Sequence, residues 1–201
     1  MWQCIFKNTP SVKRLKFNIS ILFKMKKLIF LIALLPVLSG CHKTLTGFNM
    51  TYKRTFSIDV GLNPFESHYF AFRDIAVDTA IFFKANGGVT SADINQILPR
   101  SMSLRTIYGG DGANFSFLSQ VEVSVFDDKL TPSSEQIIFF RDDVPLSNNP
   151  QLLLIANNQD VKKLFFSGNH YVLRIKMRLR EIPNRSIDTE WNLTFLATNN
   201  N

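Results

Sequence analysis

Residues 170–197 read HYVLRIKMRLREIPNRSIDTEWNLTFLA, and the alternation in this stretch decides the fold class. From 171 to 180 the odd positions Tyr171, Leu173, Ile175, Met177 and Leu179 are apolar, while Arg174, Lys176, Arg178 and Arg180 are basic. From 187 to 197 the odd positions Ile187, Trp191, Leu193, Phe195 and Ala197 are apolar, with Asp188 and Glu190 on the other face. A period of two is the mark of a strand buried on one side. Pro183-Asn184-Arg185-Ser186 separates the runs, which are expected to pair as a hairpin. One register that keeps both faces sets Arg180 against Asp188, Arg178 against Glu190, and Met177 beside Trp191; a register two residues away also keeps them and sets Arg180 against Glu190.

The same period recurs upstream. Tyr52, Arg54, Phe56, Ile58 and Val60 alternate with polar residues, as do Met102, Leu104 and Thr106, and Val121, Val123 and Val125. Gln136 to Phe140 is β-prone, and Leu152 to Ile155, apolar on both faces, reads as a buried strand. Helical signals are few. Asp78 is placed to cap a short helix ending near Asn86 before Gly87-Gly88. Thr90-Ser91-Ala92-Asp93 has capping-box spacing. Asn157 to Phe166 carries Asp160 early and Lys162 and Lys163 late, the order the helix dipole favours. Asn63 to Ile75 reads equally as helix or strand. About eight short strands with few helices predict an all-β fold, an immunoglobulin-like two-sheet sandwich, with a partly open barrel as the alternative.

Charge points away from nucleic acid. The chain has 23 Lys and Arg against 16 Asp and Glu, a formal net charge of +7. Seven of the basic residues lie in 1–40, where there is no acid, so the remaining 161 residues carry 16 of each sign and are neutral. A nucleic-acid partner is therefore not expected, since its basic footprint is missing.

The excess belongs to a leader. Met25-Lys26-Lys27 is a charged start, Leu28 to Leu38 is apolar apart from Pro36, and Ser39 and Gly40 are small. That apolar run spans roughly 16 Å as a helix, at about 1.5 Å per residue, about half of a ~30 Å hydrocarbon core. It is too short for a lasting transmembrane helix. Leu38-Ser39-Gly40-Cys41 resembles the lipobox of bacterial lipoproteins. The resemblance implies a diacylglyceryl group on Cys41, cleavage before it, and usually acylation of the new N-terminus, as with palmitate. One acyl chain holds a protein on a membrane only marginally, at about 0.8 kcal/mol per buried CH₂, whereas two or three make release negligible.

The chain then divides into residues 1–24, an over-extended start or extra leader with Met25 as the true start; 25–40, the lipoprotein signal peptide; 41–50, a tether; 51–198, the β-sandwich domain; and 199–201, an asparagine tail. The two cysteines are Cys4 and Cys41, so no disulfide is expected in the domain. His42 after Cys41 is not the aspartate that retains some lipoproteins in the inner membrane. The expected location is an outer-membrane lipid anchor facing the periplasm, with the cell surface as the other placement. The run FSFLSQVEVSV at 115–125, followed by the C-terminal strands, resembles uncharacterised β-sandwich lipoproteins of the Bacteroidetes type.

The catalytic inventory is empty, so no enzyme is expected. His42, His68 and His170 sit in no nucleophile motif. No His, Cys and carboxylate spacing suits zinc, and no metal or cofactor is expected. Asp127-Asp128 and Asp142-Asp143 suit solvated turns better than calcium. Gly109-Gly110-Asp111-Gly112 lacks the lysine and hydroxyl of a phosphate loop and reads as a turn. The stripe Arg174, Lys176, Arg178 and Arg180 is expected to be a solvated face neutralised by Asp188 and Glu190; anionic lipid or polysaccharide is the other option. Phe65, Tyr69, Phe70, Phe72, Phe82 and Phe83 pack over the sandwich edge or line a groove for sugar or peptide. The expected function is a non-enzymatic binding or structural role at the envelope, with membrane lipid and an unknown protein or glycan as partners. The alternative is a glycan- or peptide-binding surface module in nutrient capture.

Overall fold

The computed structural model describes residues 47–108, 112–129, 135–167 and 171–200, all within the compact unit Leu45–Asn201. Cys41, the lipobox, His42, His170 and the Gly109–Asp111 turn lie outside the described residues. Among the described residues there are eight strands: β1 (Gly47–Ile58), β2 (Ser67–Phe72), β3 (Ile94–Tyr108), β4 (Leu118–Asp127), β5 (Gln136–Asp142), β6 (Gln151–Ala156), β7 (Tyr171–Leu179) and β8 (Ile187–Asn199). Two helices join them, α1 (Ile75–Ala85) and α2 (Lys162–Phe166).

The all-β, two-sheet architecture expected from the alternation is the one adopted. One sheet has the order β1-β8-β3-β6 and the other β5-β4-β7-β2, with every neighbour antiparallel. Two residue pairs, Phe139↔Ala156 and Phe140↔Ile155, join them into one curled sheet. The molecule is thus both a sandwich and a half-open barrel. Its strand order is that of a jelly roll, in which successive strands cross between sheets; an immunoglobulin sandwich instead pairs several consecutive strands.

The crossing overturns the expected C-terminal hairpin. β7 lies between β2 and β4, and β8 between β1 and β3. The faces are as the alternation requires, since Leu173, Ile175, Met177, Trp191, Leu193 and Phe195 are all buried. The neighbours differ because residues 180–186 carry the chain across the core rather than along one sheet. A side-by-side hairpin would leave both apolar faces needing the same cover. Placed in different sheets, the two strands turn their apolar faces into one shared core.

α1 runs antiparallel to β1 and closes one side of the barrel. Arg54 donates to Asp74 and to Asp78, each at 2.6 Å, where the helix begins. Tyr52 meets Thr79 and Phe82 midway, and Phe48 meets Phe83 near the end. The helix starts at Ile75, and Asp78 serves its first turn as a partner for Arg54 rather than as the cap. Helix-dipole attraction favours both acids there. The centre is a buried hydroxyl cluster. Thr79 donates to the Ile75 carbonyl at 3.0 Å and accepts from the Tyr52 hydroxyl at 2.6 Å and from the Tyr171 hydroxyl. One hydroxyl therefore ties a helix to both sheets, using its donor and both acceptor positions. Burial pushes both phenols well above their ordinary pKa, so each stays a neutral donor.

Two further sequence expectations change. β1 begins at Gly47, so residues 47–50, read above as tether, belong to the sheet, and Met50 is fully buried. A side chain at Gly47 would collide with the Ala197 carbonyl, so glycine permits the pairing there. The helix read at 157–166 shortens to α2 because Asp160 is diverted: its carboxylate accepts from the backbone N–H of Ile97 and of Lys162, both at 2.9 Å. Val161 N–H adds a bond to the Ile97 carbonyl. This segment covers part of the β3 edge that β6 does not reach, at Ile94 and Ile97. Thr90 donates both its N–H and its hydroxyl to the Asp93 carboxylate, at 2.8 and 2.6 Å, and Asp93 N–H returns to the Thr90 carbonyl, so the segment is a turn leading into β3 rather than a helix start.

Thr79→Val leaves two buried phenols without their shared acceptor and is expected to cost about 3 kcal/mol in urea unfolding, against about 1 kcal/mol for Tyr52→Phe. Because the native tyrosines hold protons that unfolded ones release near pH ~10, stability should fall as pH rises above about 10. Tyr52→Phe should flatten that fall.

Candidate functional site: the loop crown

The jelly roll has two unlike ends. Gly47, Asn199 and the 87–93 turn meet at one, the base, where α2 also sits; Asn200 N–H bonds the Asp93 carbonyl there at 2.8 Å. Residues 59–66, 112–117, 143–150 and 180–186 form the other, the crown. The crown holds exposed apolar side chains out of proportion to its size: Phe65 is 95% and Leu146 76% exposed, and Val60, Tyr108 and Ile182 are also exposed. Polar and mobile-friendly composition is the norm for connecting loops, so apolar residues presented there point to contact with something.

Two cavities open at the crown. One of about 250 Å³ lies between Asn114 and Ser116 on one side and Glu181 and Arg185 on the other. The second, of about 230 Å³, lies beneath 144–153 and is lined by Phe115, Arg141, Asn149, Gln151 and Leu152. The 112–117 segment contributes to both, and it is held by its own bonds: Asn114 accepts from Ser116 N–H and donates to the Gly112 carbonyl, each at 2.8 Å. Arg180 fixes the floor by donating to the carbonyls of Leu118 and Val144 at 2.9 and 2.6 Å. A third cavity of about 350 Å³ lies at the base between α1 and α2, walled by Phe83, Phe165 and Phe166.

The basic stripe is partly paired, with partners other than those expected. Asp188 and Glu190 lie in the opposite sheet. Arg174 pairs with Glu135, Lys176 with Glu122 at 2.7 Å, and Arg178 reaches the Ser67 hydroxyl at 3.4 Å. Arg180 leaves the stripe for the crown. Glu190 holds Lys53 at 2.7 Å and Arg105 at 3.2 Å, and these cations, Lys53 first, keep its carboxyl below the usual range. Burial pushes Glu135 up, but the Ser124 hydroxyl and Arg174 outweigh it and hold it low.

The aromatic cluster does not assemble into one surface. Phe70 and Phe72 turn inward onto Phe56, at 4.6 and 5.9 Å between ring centres, and Phe72 meets Trp191 at 5.2 Å. Phe82 packs on Tyr52 and Phe83 stacks on Phe166. Tyr69 faces outward beneath the Arg174 guanidinium, 5.1 Å away. Only Phe65 projects into solvent at the crown.

The remaining candidates are accounted for locally. His68 Nε2 bonds the Asn63 carbonyl at 2.8 Å. Asp127 accepts from Lys129 N–H, Asp128 pairs with Arg73 at 3.1 Å, and Asp142 accepts from Gln120 at 2.7 Å. Asp143 adopts a left-handed backbone, φ 56°. Among the described residues no three His, Cys, Asp or Glu side chains gather as a metal site, and no helix is long and apolar enough to cross a membrane. The crown itself escaped the sequence reading, because Phe65, Leu146 and Ile182 lie on separate loops and only the crossings bring them to one end.

No family model and no curated protein matches the chain. Among solved structures it is similar to the crystal structure of decameric BFDV capsid protein, at 14% identity over 77% of this chain and 99% of that one, with a TM-score of 0.34. It is also similar to turnip yellow mosaic virus, at 12% identity over 81% of this chain and 88% of that one, with a TM-score of 0.26. The fold assignment rests on the strand registers rather than on these likenesses.

If the crown residues serve contact rather than packing, Phe65→Ser and Leu146→Ser should each leave thermal stability within about 0.5 kcal/mol of wild type. Phe115→Ala, beneath them, should cost about 3–5 kcal/mol.

Proposed function

We propose that this chain is a bacterial envelope lipoprotein, held in the outer membrane by acyl chains on Cys41 and facing the periplasm, with a jelly-roll domain in a non-enzymatic binding or structural role. The observation that carries this is the spacing of two signals. A charged, apolar and small-residue leader ends in Leu38-Ser39-Gly40-Cys41, and the first strand starts at Gly47, six residues on. Six residues reach at most about 20 Å, at ~3.3–3.6 Å each. A lipid on Cys41 would therefore hold the base of the barrel close to the bilayer and turn the crown away from it.

The base suits that position. Lys84 and Lys163 are exposed there and carry no ion pair among the described residues, a charge state compatible with anionic headgroups. A glycan- or peptide-binding module in nutrient capture is the second reading, favoured by the apolar crown and its two cavities. A stable scaffold with a crown that binds nothing favours the structural role.

Cys41→Ser should abolish incorporation of labelled palmitate in cells and move the protein from the detergent phase to the aqueous phase on Triton X-114 partition. A wild-type chain that takes up no label and stays aqueous overturns the anchor.

A further inference from the structure

We infer that the cavity around Arg141 is a binding site for a free carboxylate, the C-terminal end of a peptide with an apolar last residue. β5 register sets Arg141 opposite Val121, which is fully buried, so the guanidinium stem lies on the core side of the sheet at the crown. Its Nε is buried and has no hydrogen-bond partner. Among the described residues every other arginine has a partner; Arg141 has none, although a guanidinium stays charged and offers five donors. A buried donor without an acceptor is costly, and native proteins keep such groups where something else satisfies them.

The surroundings define what would do so. Phe115, Val144 and Leu152 make apolar walls, and among the described residues no carboxylate lines the space. Asn149 has its carbonyl oxygen engaged by Gln151 N–H at 2.9 Å, which leaves its amide N–H₂ free to donate. The volume of about 230 Å³ is several times the ~30 Å³ share of one water, yet below the ~300 Å³ at which whole small-molecule sites begin. It therefore suits the end of a longer ligand. A forked guanidinium takes a carboxylate through two parallel bonds. The apolar walls take the last side chain, and Asn149 an adjacent peptide carbonyl. An acidic sugar is the less suitable occupant, because Phe115 is only 2% exposed and offers no open ring face.

This gives the binding role a place and a ligand class, and it stands whether or not Cys41 carries lipid. The test is fluorescence polarisation of fluorescein-Ala-Ala-Leu as the free acid, its C-terminal amide and fluorescein-labelled digalacturonate, using the full chain in detergent micelles and the Cys41→Ser chain in buffer. Saturable binding of the free acid, weakened about tenfold or more by amidation, is expected for both chains, since loss of a charge-assisted pair has effects of that order. Arg141→Gln should remove the preference for acid over amide. Asn149→Ala, which leaves the guanidinium in place, should weaken both peptides together and keeps the test open if Arg141→Gln does not fold. Equal affinity for acid and amide, no saturable binding, or preference for digalacturonate overturns the proposal. Peptide binding without palmitate labelling overturns the anchor and leaves this site standing.

Discussion

β7 and β8 carry apolar side chains at almost every second residue, and neither can bury that face alone. The structure depends on both faces turning into one core between the two sheets. Trp191, Leu193 and Phe195 on β8 and Leu173, Ile175 and Met177 on β7 share that core, and all six are inaccessible to solvent. Each fully buried side chain of this kind contributes about 1.5–3 kcal/mol relative to exposure. Because the strands lie in different sheets, each takes a hydrogen-bonded neighbour on both sides. The two sheets then follow, and so does the need for the chain to cross between them at 180–186.

Crossing makes the molecule polar in the architectural sense. Every strand runs from base to crown or back, so all connections fall at one end or the other. The base is closed by short helices and by carboxylate caps at Asp93 and Asp160. α1 is tied to both sheets through a single threonine hydroxyl. The crown has no such cover. Its loops present Phe65 and Leu146 to solvent and leave the Arg141 Nε without a partner among the described residues. Stability is thus concentrated at one end and chemical opportunity at the other, the usual division between a rigid scaffold and the loops it carries.

Charges on the sheet faces follow the same crossings. Alternation puts Arg174, Lys176 and Arg178 on an outer face, where they meet Glu135, Glu122 and Ser67 from strands and loops of their own sheet. Glu190 finds Lys53 and Arg105 on β1 and β3. These pairs are partly exposed, worth little individually, and serve to keep like charges apart on a face that carries four basic residues within seven positions.

Which side of an alternating strand is buried was legible in the sequence, because an alternating pattern has one solution for a one-sided strand; Leu152 to Ile155, apolar throughout and read as buried, turns only Leu152 and Leu154 inward, since β6 has solvent on its other face. The sequence by itself also determined the all-β class, the neutrality of the chain beyond residue 40, and the lipobox-like stretch ending at Cys41. Strand neighbours were decided only by the tertiary structure. Alternation is blind to whether a partner lies beside a strand or opposite it, and the run 170–197 is compatible with both. Helix boundaries shifted for a related reason: Asp78 and Asp160 have the chemistry of helix acids, yet Arg54 and the Ile97 N–H, distant in sequence, compete for them. The crown and its unpartnered Arg141 likewise arise from segments far apart along the chain, which only the crossings between two sheets bring to one end.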